Sequence, residues 1–368
     1  MIVKIGNIFE SSAVTIVNTV NCVGVMGKGI ALEFKKRYPE MYDEYVILCN
    51  NNEVKPGKPY YYYDLNGTSI INFPTKDHWK SSSKLSYIVS GLDWFRKNYN
   101  ILGIKSIAFP PLGCGNGGLS WDLVGPIMYH YLKDLPIDVE IYAPYGTSSE
   151  KLTEKYLTEN LILSSEEVIG SKNVKFNKYW YLLLYITQKL NAEKYSLNVG
   201  RVIFQKICYV LTRTGIPTGF NFVEGTYGPY DPTVNEVITV LSNANLMTER
   251  ILGKMIETVV SPSFRLNYDS FTHEELSCAE RTIDLLSRIK STDQAEMLAT
   301  VMFSYDELIK SGEKDITDSH ILDYVLRWKP RWGDKKTEIL DTVTSLSMLG
   351  WINPRYTLES SMSDEHLY

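Results

Sequence analysis

Cysteine and histidine are scarce in this chain, and neither is arranged for metal or disulfide chemistry. The 368 residues include five of each. Cys22, Cys49, Cys114, Cys208 and Cys278 are odd in number, scattered, and never stand at a CxxC or histidine-containing spacing. Neither a disulfide framework nor a metal site is expected, and no cofactor is implied. No run approaches the roughly 20 apolar residues that a membrane span needs. The opening MIVKIGNIFE reads as a first strand, not as a charged and apolar leader, so a cytoplasmic protein with no membrane partner is expected. Basic excess is missing as well. Residues 1–150 hold 14 Lys and Arg against 14 Asp and Glu, and the remainder 24 against 29, so the net charge of −5 lies beyond residue 150. Phosphate contacts supply most non-specific nucleic-acid affinity, so such a chain is a poor general binder; any DNA partner is recognised locally.

The length predicts two domains, and a hydrophobic content of 44% is ample for their cores. In the first 150 residues, strand-like runs rich in β-branched and aromatic residues (2–5, 15–20, 60–63, 69–73, 106–110 and 139–143) alternate with helical patterns (29–37, 39–49, 85–99 and 121–132). This alternation predicts a three-layer α/β domain, which we bound at residues 1–155. Residues 156–172, where Ser, Thr, Glu and Lys surround a short apolar patch and the alternation stops near Ser164–Ser171, read as a linker. Residues 173–357 read as a mainly α-helical second domain. Phe204, Ile207, Cys208 and Leu211 fall at i, i+3, i+4 and i+7 ahead of Gly215, and Asp231-Pro232 is placed to cap a helix carrying Val234, Val237, Ile238 and Leu241. Residues 358–368 form a polar tail.

Two glycine-rich loops follow predicted strands. The first runs Asn18-Thr19-Val20-Asn21-Cys22-Val23-Gly24-Val25-Met26-Gly27-Lys28-Gly29, and the second Gly113-Cys114-Gly115-Asn116-Gly117-Gly118. Glycines let backbone N–H groups approach an anion, and a helix N-terminus adds partial positive charge, so together the loops suggest a diphosphate cradle. Neither ends in Gly-Lys-Ser/Thr and neither matches GxGxxG. Glycine content alone leaves open tight strand-to-helix turns that hold no ligand.

The combination resembles the macrodomain family, whose fold, a three-layer α/β sandwich with a mixed sheet, binds ADP-ribose. Asn18-Thr-Val-Asn21 stands where macrodomains carry an Asn-Ala-Ala-Asn-like strand end, and Pro111-Leu-Gly113-Cys-Gly115 where their phosphate loop begins. Within the family the sequence is similar to the DarG branch of DNA ADP-ribosyl glycohydrolase antitoxins. The likeness rests on three ordered blocks, which run from Val23 to Lys35, from Asn72 to Trp79 (Asn-Phe-Pro-Thr-Lys-Asp-His-Trp) and from Leu112 to Trp121. It implies that Asn21, with Asn18 and Thr19, meets the distal ribose side of ADP-ribose and that Gly27, Lys28, Gly29 and Thr75 line the ligand. It also implies that Gly113, Cys114, Gly115, Asn116, Gly117 and Gly118 wrap the diphosphate. Asn7 and Ile8 take the adenine end; macrodomains usually have an aspartate at position 7, and the Asn7 carbonyl can still accept from the adenine amino group.

Lys76 is the candidate catalytic residue. In the related human enzyme that clears ADP-ribose from glutamate, a lysine after a strand-end threonine attacks the anomeric carbon, and Thr75-Lys76 holds the matching place. A free lysine titrates near 10.4, so nucleophilic duty needs burial or cationic neighbours, with Lys28 and Lys80 as candidates. That relative carries a resolving aspartate where this chain has Gly117. Either another group resolves a covalent intermediate or Lys76 acts electrostatically while water attacks; a lysine that merely neutralises phosphate is the plainer alternative. His78 and Trp79 are candidate contacts to the substrate base, Trp79 by stacking; the alternatives are a turn histidine and a packing tryptophan. Cys114 reads as a small buried thiol.

In the second domain, Phe204 to Tyr209 with Phe222 and Tyr227-Gly-Pro-Tyr230 resembles antitoxin helical domains of the SocA type and the C-terminal region of DarG antitoxins. This implies that it binds the cognate DarT-like toxin, which attaches ADP-ribose to thymidine in single-stranded DNA. The partners expected are therefore ADP-ribose, ADP-ribosylated DNA and that toxin. The competing readings are a hydrolase of protein-linked or O-acetyl ADP-ribose and a reader that binds ADP-ribose without cleaving it. Trp328-Lys-Pro-Arg-Trp332 reads as a helix end at Pro330 with packed tryptophans, or as a basic aromatic DNA patch.

Overall fold

A computed structural model describes residues 1–64, 67–161, 176–193, 197–252 and 255–356. The chain divides into two compact units, Met1–Phe176 with Asn235–Met247, and Asn177–Val234 with Thr248–Tyr368. Among the described residues no helix is long and apolar enough to cross a membrane.

The first unit is built on strands β1 (Ile2–Ile5), β2 (Thr15–Val20), β3 (Tyr60–Tyr63), β4 (Ser69–Pro74), β5 (Ser106–Phe109) and β6 (Asp138–Ala143). They form one sheet in the order β1-β6-β5-β2-β4-β3, parallel except for the antiparallel edge pair β3 and β4. Neighbouring residues point to opposite faces of a strand, and here both faces are apolar. Val17, Ile71, Ile107 and Ile141 join one core with residues of helices α3 (Leu85–Asn98) and α4 (Trp121–Leu132). Ile16, Ile70, Ala108 and Tyr142 join another with residues of α1 (Gly29–Arg37) and α2 (Pro39–Asn50). The three-layer expectation and the mixed sheet are thus observed.

From β2 the chain passes through α1 and α2 to the edge strand β3 and back to β4 on one side, and then through α3 to β5 on the other, which makes the C-terminal end of β2 a topological switch point. Loops diverge there, and such points are where α/β sheets tend to hold ligands.

Two segments near the boundaries group with the first unit. Helix α5 (Glu154–Glu159) belongs with the first unit, because Leu157 is buried in its core and Leu161 packs against it. Of the expected linker, residues 162–172 lie outside the described residues, as does the polar tail. Residues Asn235–Met247, carrying most of a helix numbered below, also group with the first unit and not with the second.

The second unit is mainly helical. It contains α6 (Trp180–Ala192) and α7 (Arg201–Arg213), followed, after the segment with α8 (Thr233–Asn243), by α9 (His273–Ser287), α10 (Thr292–Lys310), α11 (Asp318–Trp328) and α12 (Lys336–Met348). Helix α7 ends ahead of Gly215, as its sequence predicts, and α10 is flanked by α7, α11 and α12. A short hairpin, β7 (Val223–Gly225) with β8 (Gly228–Tyr230), and a two-stranded sheet of β9 (Met247–Leu252) and β10 (Met255–Val260) were not expected. Helix α11 stops at Trp328, and Pro330–Trp332 forms a single 3-10 turn with Trp332 buried. That is the packed-tryptophan reading of this stretch.

Candidate functional site

Three loops leave the C-terminal ends of β2, β4 and β5, at the switch point. Backbone hydrogen bonds tie them together. Thr75 N–H donates to the Val20 carbonyl at 3.0 Å, and Cys22 N–H to the Asp77 carbonyl at 2.9 Å. The Cys22 thiol, pushed up to about 12 by burial, donates to the carbonyl of Lys76 at 3.3 Å. The position of Lys76 is therefore set by the first glycine loop as well as by its own strand.

Asn18 and Asn21 have structural partners. Asn18 is fully buried and donates from Nδ2 to Asn72 Oδ1 at 2.8 Å, across the β2 and β4 register pair. Its own Oδ1 and the Asn72 Nδ2 are buried without partners. Asn21 accepts on Oδ1 from Val23 N–H at 3.0 Å and from the buried Tyr45 hydroxyl at 3.0 Å, and donates from Nδ2 to the Val25 carbonyl at 2.5 Å. Its carboxamide thus shapes the first loop. Asn7 caps the 3-10 turn Ile8–Glu10, accepting from Phe9 N–H at 3.1 Å, so the oxygen expected to face adenine already has one donor. Ile8 is buried beside it, and Thr19 is half-buried.

Gly27, Lys28 and Gly29 are exposed at the start of α1. Lys28 is the N-cap of that helix and makes no side-chain capping bond, so the first N–H groups are open to an anion. The second loop lies opposite. It turns through a 3-10 segment, Gly115–Gly117, with Gly113, Gly115 and Gly118 at φ of 72°, 73° and 77°, a region that suits glycine. A Cβ on Gly29 would stand 3.0 Å from Asn116 Nδ2. The two loops therefore face each other closely, with backbone N–H groups available from both.

Lys76 joins them. Its ammonium donates to the backbone carbonyl of Asn116, inside the second loop. Lys80, expected as a possible cationic neighbour of Lys76, has its ammonium 5.1 Å from the centroid of the Trp79 ring. His78 stacks on Trp79 with centroids 5.5 Å apart and accepts on Nδ1 from Lys80 N–H at 3.2 Å. Burial, and then the Lys80 charge, hold its pKa below the ordinary value, so the ring is a neutral turn acceptor. Trp79 is 47% exposed, leaving indole surface available for stacking. Cys114 donates to the Leu112 carbonyl at 3.9 Å, and burial pushes its thiol up to about 12, away from nucleophilic duty.

Sequence reasoning did not single out Ser83. Its N–H donates to the carbonyl of Gly117 at 2.9 Å, which brings the turn after Lys76 under the second glycine loop. Nor did it single out Asn243, whose Oδ1 accepts from Leu85 N–H at 2.7 Å and so caps α3 from 158 residues away. The run Ser81-Ser82-Ser83 was the local signal for the first; nothing local signals the second.

A family model described as the Macro domain matches residues 17–128, from β2 into α4. Over 250 residues the chain is 35% identical to a protein of Mycobacterium tuberculosis named DNA ADP-ribosyl glycohydrolase, a match covering 65% of this chain and 66% of that protein. It is 40% identical over 178 residues to a DNA ADP-ribosyl transferase-DNA ADP-ribosyl glycohydrolase fusion protein of Thermosipho africanus, 44% of this chain and 45% of that one. Among solved structures, the macrodomain of Mycobacterium tuberculosis DarG is 46% identical, with 39% of this chain matched to 98% of that chain at a TM-score of 0.37. About a third of the mycobacterial protein and more than half of the Thermosipho protein are left unmatched.

Proposed function

Through its first unit this chain belongs to the macrodomain family, and from that premise we propose that it removes ADP-ribose from DNA while its second unit binds and blocks the enzyme that attaches it. The observation that carries the reading is the meeting of Lys76 with the second glycine loop. A cation bonded to a loop that suits a diphosphate is close to any ligand held there, which supports a role for Lys76 at the ribose that the diphosphate carries. The substrate class comes from the relatives named DNA ADP-ribosyl glycohydrolase.

In this reading the α1 N-terminus and Gly113–Gly118 take the diphosphate, and the turn at Asn7 and Ile8 takes the adenosine end. The exposed face of Trp79 stacks on the modified thymidine base. Cleavage breaks the bond between the anomeric carbon and the base. The electron pair leaves with the base, which ends protonated, and a water-derived hydroxyl takes its place on free ADP-ribose. Lys76 acts at that carbon. Gly117 brings no carboxylate to resolve a lysine adduct, and Lys76 is a hydrogen-bond donor to a carbonyl, which together favour an ammonium that steers charge while water attacks.

The toxin-binding part is supported by the Thermosipho relative, whose name joins a transferase and a glycohydrolase in one protein, and by the helical architecture the sequence likeness implied. We place the activity in the cytoplasm, where its DNA substrate lies.

One experiment tests the enzyme. Release of free ADP-ribose is followed from a modified thymidine oligonucleotide and from a modified protein side by side. Faster release from the oligonucleotide is expected; preference for the protein, or release from neither, overturns the reading. For the second unit, the full chain carrying Lys76→Ala is co-purified with an inactive DarT-like transferase. A stoichiometric complex is expected, and its absence at micromolar concentrations removes the toxin-binding role.

A further inference from the structure

Ser83 lies at the centre of the candidate site without a stated task. It is 0% exposed, and its N–H is bonded to the Gly117 carbonyl, yet its Oγ has no hydrogen-bond partner. The glycines of the second loop crowd around that oxygen. A Cβ on Gly113 would stand 3.3 Å from it and 3.0 Å from Ser83 Cβ; a Cβ on Gly117 would overlap it. The same Gly117 Cβ would stand 3.8 Å from Lys76 Cε. The hydroxyl thus takes the room that any side chain at 117 would need, beside the Lys76 chain.

The turn that carries Ser83 is held from further away as well. Asn243 caps Leu85, and Thr239 Oγ1 donates to Ser82 Oγ at 3.3 Å, both from the Asn235–Met247 segment of the same unit. A buried hydroxyl without an acceptor is destabilising, and a native structure that keeps one invites a functional explanation. Glycine backbones on one side and a lysine on the other make this a site for an anion.

We propose that Ser83 is a substrate-contacting residue whose hydroxyl donates to a phosphate oxygen of a bound nucleoside diphosphate ribose. This rests on the assignment of the second loop to the diphosphate. The hydroxyl adds a side-chain donor to a cradle made largely of backbone N–H groups, at the point where Gly117 leaves room for it. A phosphate entering the loop offers the Lys76 ammonium a charged acceptor in place of the Asn116 carbonyl, which draws the lysine chain off the space beside Ser83.

The test is Ser83→Ala in the full chain, read twice. By calorimetry the affinity for ADP-ribose falls about tenfold or more, the loss expected for a hydrogen bond to a charged group. The melting temperature of the protein without ADP-ribose stays level or rises by about 2 °C, because a methyl replaces an unpartnered hydroxyl. A hydroxyl serving the fold alone gives the reverse, a lower melting temperature with unchanged affinity, and overturns the proposal. Ser83→Cys, with similar shape and a weaker donor, should fall between wild type and Ser83→Ala; affinity within twofold of wild type in both variants also overturns it. Failure of the wild-type chain to bind ADP-ribose would instead remove the diphosphate assignment, and the Ser83 proposal with it.

Discussion

Lys76 in the first unit and Lys206 in the second both donate to backbone carbonyl oxygens, in opposite settings. Lys76 is half-buried and meets a loop of glycines beside an exposed helix start. Lys206 is 2% exposed and reaches the carbonyls of Tyr227 and Pro229 in the β7 and β8 hairpin. Lys329 reaches Gly225 and Thr226 of the same hairpin at 3.0 and 2.5 Å, and Arg331 reaches Thr226 at 3.2 Å. Glu296, also buried, accepts from Lys329 at 3.0 Å and from Arg331 at 2.6 Å. The second unit uses its cations as internal fasteners, whereas the first keeps a cation, open N–H groups and an unpartnered hydroxyl together at one strand end. The contrast is between cations bonded within a buried hairpin and a cation gathered with glycine loops at the proposed diphosphate site.

Lys76→Ala should break that contrast most visibly. We expect release of ADP-ribose from DNA to fall roughly 10³-fold, the scale of losing a charge-stabilising donor. Binding should stay within about tenfold because backbone groups make the cradle. A gel assay and calorimetry on one preparation decide, and retained activity would take Lys76 out of the chemistry. Borohydride should trap no lysine adduct if water is the attacking group.

Glu296→Ala is the counterpart in the second unit. It leaves Lys329 and Arg331 uncompensated, and breaking a buried ion pair from one side costs about 3–5 kcal/mol. Urea unfolding should show that loss in the second unit's transition, with ADP-ribose affinity of the first unit unchanged. Equal damage to both would erase the distinction between fasteners and binding groups.

The smallest expected effect is a pH slope. Burial pushes Lys206 down to about 7 from an ordinary value of 10.5, so between those limits the folded chain binds fewer protons than the unfolded one. Stability therefore rises with pH across that window, by about 2 kcal/mol from pH 7 to 9. Lys206→Met should flatten the slope. A slope that survives the substitution belongs to other groups.

Much of the first unit was legible because its signals are local and periodic. Ile16 and Val17, or Ile70 and Ile71, are apolar neighbours bound for opposite faces, and such runs identify strands buried on both sides. The glycine loops and Thr75-Lys76 were legible as residue types at strand ends. Their partners were not: an asparagine's composition gives its donors and acceptors, and folding decides what they meet, as Asn21 meets Val23 and Val25 of its own loop and Tyr45 of α2. Ser83 gains its meaning from Gly117 and Lys76, which the fold brings to it. The β7 and β8 hairpin escaped notice because its three-residue strands hold Gly225, Gly228 and Pro229, and its stability comes from buried cations remote in sequence.

The cap that Asn243 places on α3 has a consequence for how the protein is made. A ribosome adds about 5–20 residues per second, so the 158 residues separating Leu85 from Asn243 take roughly 8–30 s to synthesise. For the last 100 residues of that interval, about 5–20 s, the strands of the sheet through β6 (Asp138–Ala143) have all been made while the leading N–H of α3 is still without its asparagine. The first unit is thus finished late, by a helix translated after the rest of it, and a chain that ends before Asn243 would carry its glycine loops without that support.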